Sequence, residues 1–285
     1  TEWRVMGEPC YLNLVELGPG RGTLMADFMR VAMQHSDFFN AINIHLIEIS
    51  PMLREVQQTK LSRYNCAWHM NIDEVPEGPL LVIANEFFDV FPIHQFQLTK
   101  SGWCERLVRL KDNHRVQFEL SLSPYSTISL INKKHKDLPV GSVFEISPLS
   151  SSYFVKLVNM MSSRLSSAII IDYGYTTDDV GDSLQAIKCH RFDSIFLEPG
   201  NADLSSHVNF RSFIEMVKCI AKLESEIFTQ QQFLSQTGIQ ERTSTLLKNA
   251  SSRQAEVIES AFNRLMGASE MGELFKVLFV CNRNR

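Results

Sequence analysis

No apolar run approaches the ~20 residues that a bilayer-spanning helix needs. The longest candidate, Leu80 to Ile93, is interrupted by Asn85, Glu86 and Asp89, so membrane insertion is not expected. Positive charge is not in excess either. The 28 Lys and Arg stand against 32 Asp and Glu, a net charge of -4, and nothing in that balance invites nucleic acid. The one basic knot, Lys133-Lys134-His135-Lys136, reads as a solvated loop, with a partner-docking patch as the sharper alternative. The six cysteines form no CxxC pair and match no zinc-ligand spacing; they suit buried free thiols, and no metal site is expected. No GxxxxGK[ST] occurs, which excludes a P-loop. No signal peptide is visible. The chain starts at Thr1 without an initiator Met, so an upstream segment, with room for a targeting signal, is expected.

What is present reads as globular. A chain of 285 residues, 44% hydrophobic, can bury one large core, or a core plus a subdomain. Tyr11–Leu17 reads as a buried strand that breaks into glycines. From Thr23 the apolar residues recur with helical spacing. Asn43–Ile49 is a second strand; Ser50 is a natural cap and Pro51 fits the first turn of the next helix. Cys66–His69 and Pro79–Ala84 are the third and fourth strands. This alternation implies a parallel sheet with helices on both faces. From His94 to about Ile146 the pattern changes to short alternating stretches, an antiparallel insertion. A helix is expected over Leu149–Leu165, a buried strand over Ala168–Asp172 and an extended piece over Asp182–Arg191. Helices follow near Phe210–Ala221, Gln230–Gln236, Gln240–Leu247 and Arg253–Leu265, and Leu274–Cys281 is a last strand. The division expected is 1–93 for the first half of a Rossmann-like core, 94–147 for a β-rich arm, and 148–285 for the rest.

A strand, a glycine turn and a helix make a ligand site at a helix N-terminus. The loop is Glu16-Leu17-Gly18-Pro19-Gly20-Arg21-Gly22, a GxGxG rather than the dinucleotide GxGxxG. Glu16 discriminates better. A carboxylate directly before the glycines would repel a pyrophosphate but suits the ammonium and sulfonium charges of S-adenosylmethionine (SAM). Glu48, at the end of strand two, can accept hydrogen bonds from both ribose hydroxyls. Pro19 and Ser50 complete the candidate cofactor set. Taken singly, the glycines read equally well as a tight turn and Glu48 as a surface acid; their placement together favours a cofactor site.

Strand four runs into Ala84-Asn85-Glu86-Phe87-Phe88-Asp89 beside the switch point, where open α/β sheets bind ligands. Asn85, Glu86 and Asp89 are the candidate catalytic residues. Methyl transfer depends mainly on positioning, and an arginine acceptor also needs a carboxylate to take its proton. Glu86 is the first choice for that role, while Asn85 and Asp89 could equally cap the following turn. Asp172, Tyr173, Gly174 and Gln185 are candidate substrate-binding residues lining the same crevice. His190 and His207 are taken as structural histidines.

Val15-Glu-Leu-Gly-Pro-Gly-Arg-Gly-Thr-Leu24, Ala84-Asn-Glu-Phe-Phe-Asp89, Asp172-Tyr-Gly174, Leu184-Gln-Ala186 and His207-Val-Asn-Phe210 together resemble the MidA family. The resemblance runs along the whole chain. It implies a class I methyltransferase fold with a β-rich insertion after strand four, SAM as cofactor, and, in the mitochondrial members, protein arginine methylation of a respiratory complex I subunit. It implies Glu16, Gly18, Gly20, Gly22 and Glu48 as cofactor contacts, with Asn85 and Glu86 near the acceptor. Val90-Phe91 and Asn209 depart from the family's Ala-Leu and Asp, and the family's N-terminal region is missing. The alternatives are a non-catalytic SAM-fold assembly scaffold, a small-molecule methyltransferase and a nicotinamide-dependent oxidoreductase. The arm suggests a protein substrate, or a homodimer contact. The expected compartment is the cytoplasm for a bacterial source and the mitochondrial matrix for a eukaryotic one.

Overall fold

Strands β1 (Leu12–Leu17), β2 (Ile42–Ile47), β3 (Cys66–His69), β4 (Leu80–Asn85), β5 (His94–Thr99), β6 (Gly102–Leu110), β7 (Val116–Leu120) and β8 (Val143–Ile146) are followed by β9 (Ser166–Tyr175), β10 (Gln185–Lys188), β11 (Arg191–Asp193), β12 (Asp203–Ser205), β13 (Val208–Asn209), β14 (Glu224–Thr229) and β15 (Phe275–Asn282). The structure is a computed structural model that describes residues 2–110, 116–121, 138–177, 180–188, 191–197, 200–220 and 222–283. The basic knot Lys133–Lys136 and His190 lie outside the described residues. The chain divides into two units: 1–88, 153–175 and 208–285 form the first, and 89–152 with 176–207 form the second.

In the first unit the sheet order is β14-β15-β9-β4-β1-β2-β3. Every strand from β3 to β9 along it is parallel to its neighbour, and only β15 runs against both of its partners. The order reverses between β1 and β4, so their carboxyl ends flank the switch point. β1 is buried along its whole length, which requires cover on both faces. Leu14, Ile44 and Leu46 pack with Met25 and Met29 of the helix Thr23–Ala32 and with Leu61. A separate aromatic cluster joins helices Pro148–Ser162 and Phe210–Lys218: Phe154 stacks on Phe213 at 4.0 Å, and Phe88 meets Phe213 at 5.0 Å. Asn209 caps the second of these helices by accepting the Ser212 N–H at 3.0 Å. An amide oxygen serves that cap as a carboxylate would.

One polar chain crosses the buried sheet. His45 on β2 meets Asn13 on β1 at 3.0 Å and His69 on β3 at 2.9 Å. Burial, helped by the neighbouring His69, pushes the His45 imidazole down to about 4. Asn13 in turn donates to the Pro76 carbonyl at 2.9 Å.

The sequence does not predict β14. Its Glu224-Ser-Glu-Ile-Phe-Thr229 has two strongly apolar residues, and among the described residues it pairs along one edge only, with β15. The capping boxes Thr229/Gln232 and Ser251/Gln254 start helices Gln230–Gln236 and Ser252–Met266.

The second unit is antiparallel. One sheet runs β7-β6-β5-β8 and another β11-β10-β12. Phe96 and Trp103 are its buried apolar centre. The expected arm, 94–147, lies inside this unit, which also takes in residues 176–207. Long-range polar ties account for the addition. Gln95 Nε2 donates to Glu145 Oε1 at 2.6 Å and to Asp182 Oδ1 at 2.7 Å, and Arg106 pairs with Asp182 at 2.6 Å. The Ser183 hydroxyl donates to the buried Glu145 carboxylate. Such ties span too much sequence to be read from local pattern. Among the described residues, no helix is long and apolar enough to cross a membrane.

Candidate active site

The glycine loop follows β1 in the first unit. Gly18, Gly20 and Gly22 have φ of 61, 52 and 71°, the left-handed region that favours glycine. Their backbone turns tightly: Gly22 N–H donates to the Pro19 carbonyl at 2.7 Å, and Gly18 N–H to the Ile47 carbonyl of β2 at 3.0 Å. Gly22 is the N-cap of the helix Thr23–Ala32 and has no side chain with which to cap it. The Met25 N–H in the first turn of that helix acts on the Glu16 carboxylate and lowers its pKa.

Glu16 is 3% exposed. Burial pushes its carboxyl up to about 7, against the lowering effect of the Met25 N–H. Its Oε2 has no hydrogen-bond partner among the described residues. A buried carboxylate oxygen without a partner is costly, and a ligand cation would relieve that cost. The backbone beside it is open, because no described heavy atom outside Pro19–Arg21 lies within 4 Å of where a Cβ on Gly20 would sit.

Glu48 stands just past β2 and is also buried. Its Oε1 accepts the Ser50 N–H at 2.8 Å, and its Oε2 accepts Gln57 Nε2 at 3.1 Å. Ser50 does double duty, since its hydroxyl accepts the Leu53 N–H and so caps the helix Pro51–Lys60. Arg54 Nε donates to the Glu48 carbonyl at 2.7 Å. Each Glu48 oxygen retains acceptor capacity, the chemistry needed for a pair of vicinal hydroxyls. With Glu16 for a positive charge and an open glycine backbone between, the residues present fit SAM.

At the end of β4 the chain turns sharply. Glu86 is exposed and has φ 49, a left-handed conformation that strains a residue carrying a Cβ. Its N–H donates to the Ile171 carbonyl at 2.9 Å, and Asn85 Nδ2 lies 3.4 Å from its carboxylate. Asp172, fully buried, fixes the turn: Oδ2 accepts the Phe88 N–H and Oδ1 the Tyr173 N–H, both at 3.0 Å. A Cβ on Gly174 would come within 2.0 Å of the Val208 carbonyl oxygen, so glycine is what lets β13 approach β9. The structure thus gives Asp172 and Gly174 architectural work beside the β4 turn. Tyr173 is buried against Phe275, ring centroids 5.3 Å apart.

The remaining candidates belong to the second unit. Asp89 is buried, and its carbonyl accepts the Ser206 N–H at 3.1 Å. Gln185 Nε2 reaches the Ser205 hydroxyl at 3.4 Å, and the His207 N–H donates to the Ser183 hydroxyl at 2.9 Å. An apolar groove of about 410 Å³ opens elsewhere in the first unit, lined by Leu14, Phe28, Phe38, Leu81, Ile83 and Ile169. It contains none of the residues singled out from the sequence.

Two residues beside the site are absent from the sequence-based set. Phe87 lies against Gly18, and the fully buried Gln57 hydrogen-bonds the Gly20 carbonyl at 2.7 Å. A signal for Gln57 exists: it falls between Leu53 and Leu61 at helical spacing, a polar residue on the face expected to be apolar.

Comparison with known proteins supports the fold and the cofactor class. Residues 1–229 match the family model described as "Putative S-adenosyl-L-methionine-dependent methyltransferase". The mitochondrial protein arginine methyltransferase NDUFAF7 of Xenopus tropicalis is 32% identical over 311 residues, spanning 100% of this chain and 71% of the relative. The Drosophila melanogaster homolog is 30% identical, spanning 98% and 69%. The human protein is 28% identical, spanning 96% and 67%. Two crystal structures of Burkholderia thailandensis proteins share the fold at 22% identity. One has a TM-score of 0.84 and covers 99% of this chain and 76% of its own. The other, bound to S-adenosyl-homocysteine, has a TM-score of 0.83 and covers 99% and 73%. The fold is the Rossmann-like class I methyltransferase fold with an inserted β region. The chain belongs to this family of SAM-dependent methyltransferases, and SAM is its cofactor.

Proposed function

We propose that this methyltransferase acts on an arginine side chain of a protein. The observation that carries this reading is the exposed Glu86 carboxylate, held on strained backbone at the β4 end beside Asn85. The names of relatives 28–32% identical, protein arginine methyltransferases, support it. The resemblance to the MidA family extends it to a subunit of respiratory complex I as acceptor, and with that to the mitochondrial matrix for a eukaryotic source.

When bound, SAM supplies an electrophilic methyl group. The acceptor guanidinium must lose a proton as its nitrogen gains that methyl, and with a pKa above 12 it does not do so unaided. Glu86 pairs with the guanidinium, orients one nitrogen and receives the proton. Asn85 holds the carboxylate in place, and Asp172 holds the turn that carries both. Glu16 and Glu48 bind and orient the cofactor, so positioning supplies most of the rate.

The test uses methyl-labelled SAM, wild-type and Glu86→Gln chains, and lysate from cells lacking the enzyme. Label recovered as ω-N-methylarginine in protein, and lost with Glu86→Gln, is expected. Label confined to small molecules would overturn the protein substrate, and label in methyllysine would overturn the arginine acceptor.

A further inference from the structure

We infer that Gln57 is a positioning residue for the cofactor's ribose, acting through Glu48, and that Trp68 sets its orientation. The inference rests on the reading of Glu48 as the ribose acceptor.

Gln57 projects from the helix Pro51–Lys60 and is 0% exposed. Its side-chain amide touches three elements. Nε2 donates to the Gly20 carbonyl at 2.7 Å and to Glu48 Oε2 at 3.1 Å, and Oε1 accepts the Trp68 indole N–H at 2.9 Å. Indole nitrogen can only donate. It therefore forces the amide oxygen toward β3 and both amide hydrogens toward the glycine loop and Glu48. A flipped amide would set its oxygen against two acceptors, so one orientation survives.

The consequence concerns Glu48. Its carboxylate is pinned from two sides, by Ser50 N–H on Oε1 and by Gln57 on Oε2. Gln57 also ties that carboxylate to the Gly20 peptide in the middle of the glycine loop, so the two halves of the cofactor cradle are fixed to each other through one side chain. Two hydroxyls on adjacent carbons demand a carboxylate of fixed tilt. Without Gln57 the Glu48 side chain gains rotamer freedom, and part of that binding energy goes to ordering it again.

The experiment measures affinity for S-adenosyl-homocysteine and for its 2′-deoxyribose analogue, with thermal melts alongside. The chains are wild type, Glu48→Ala, Gln57→Leu and Trp68→Phe. Wild type is expected to prefer the ribose form roughly tenfold, the worth of one charge-assisted hydrogen bond. Gln57→Leu should lose most of that preference, and Trp68→Phe part of it. Equal weakening of both ligands with the preference intact would mean a merely structural role and overturn the inference. Should Gln57→Leu fail to fold, an undiminished preference in Trp68→Phe overturns it as well. If Glu48→Ala keeps the wild-type preference, the ribose reading of Glu48 fails, an outcome distinct from a failure at Gln57 alone.

Discussion

The ring of Phe87 lies against the backbone of Gly18: a Cβ built on that glycine would sit 2.8 Å from Phe87 Cδ2. The turn after β4 and the loop after β1 are thereby packed on each other. Gly18→Ala should strain the site twice. Its φ of 61 costs an L-residue about 1 to 2 kcal/mol, and the ring must also shift. A lowered melting temperature together with weaker S-adenosyl-homocysteine binding is expected. A variant that melts and binds like wild type would show that the contact does not hold.

Glu16 makes cofactor binding pH-dependent. Burial raises its carboxyl to about 7, so the anionic form that attracts the ligand's ammonium grows in as pH rises. Between pH 6 and 7.5 the ligand amine stays largely protonated, and affinity for S-adenosyl-homocysteine should rise roughly eightfold if only the ionised form binds. Glu16→Gln should flatten the profile. For stability the sign is opposite. The raised folded pKa means that the native state holds the proton more tightly, so this contribution is present below about 4.5 and lost as pH rises through about 7. Calorimetric titration over that range checks the first effect, and urea unfolding the second.

Asp172 holds two backbone N–H groups with two oxygens, and Asp172→Asn leaves one acceptor for two donors. The stranded amide costs about 1 to 3 kcal/mol. Because that amide belongs to Phe88 or Tyr173, methyl transfer should fall further than cofactor affinity. Equal losses in both would mean that Asp172 supports the sheet without setting the Asn85–Phe88 turn.

His45 gives an acid-sensitive term. Its folded pKa is lowered to about 4 from 6.5. The stability it contributes is therefore fully present above 6.5 and is lost as pH falls through 4, at most roughly 3 kcal/mol. Urea midpoints measured from pH 7 to 4 should decline less steeply in His45→Gln than in wild type. Parallel declines would assign the acid sensitivity to other groups.

Local chemistry made much of this legible. Cys66–His69 is bounded in the structure as the sequence predicts, and Ser50-Pro51 starts its helix because a cap and a fixed φ act within one turn. The glycine loop was readable because left-handed backbone demands glycine. Relationships closed only by the fold stayed hidden. Asp172 reads as a crevice residue until its partner is seen 84 residues away at Phe88. Residues 176–207 join the second unit through Glu145 and Asp182, whose partners lie far off in the chain. β14 was missed because an edge strand alternating Glu with Ser and Ile carries little hydrophobic signal.

Parallel calorimetric titration of wild-type and Glu48→Ala chains with S-adenosyl-homocysteine and with NAD tests the cofactor crevice most directly. Wild type should take up S-adenosyl-homocysteine at one site and ignore NAD, and Glu48→Ala should bind at least roughly tenfold more weakly. NAD binding in place of S-adenosyl-homocysteine, or an affinity untouched by Glu48→Ala, would contradict a SAM site built from the loop after β1 and the acid after β2.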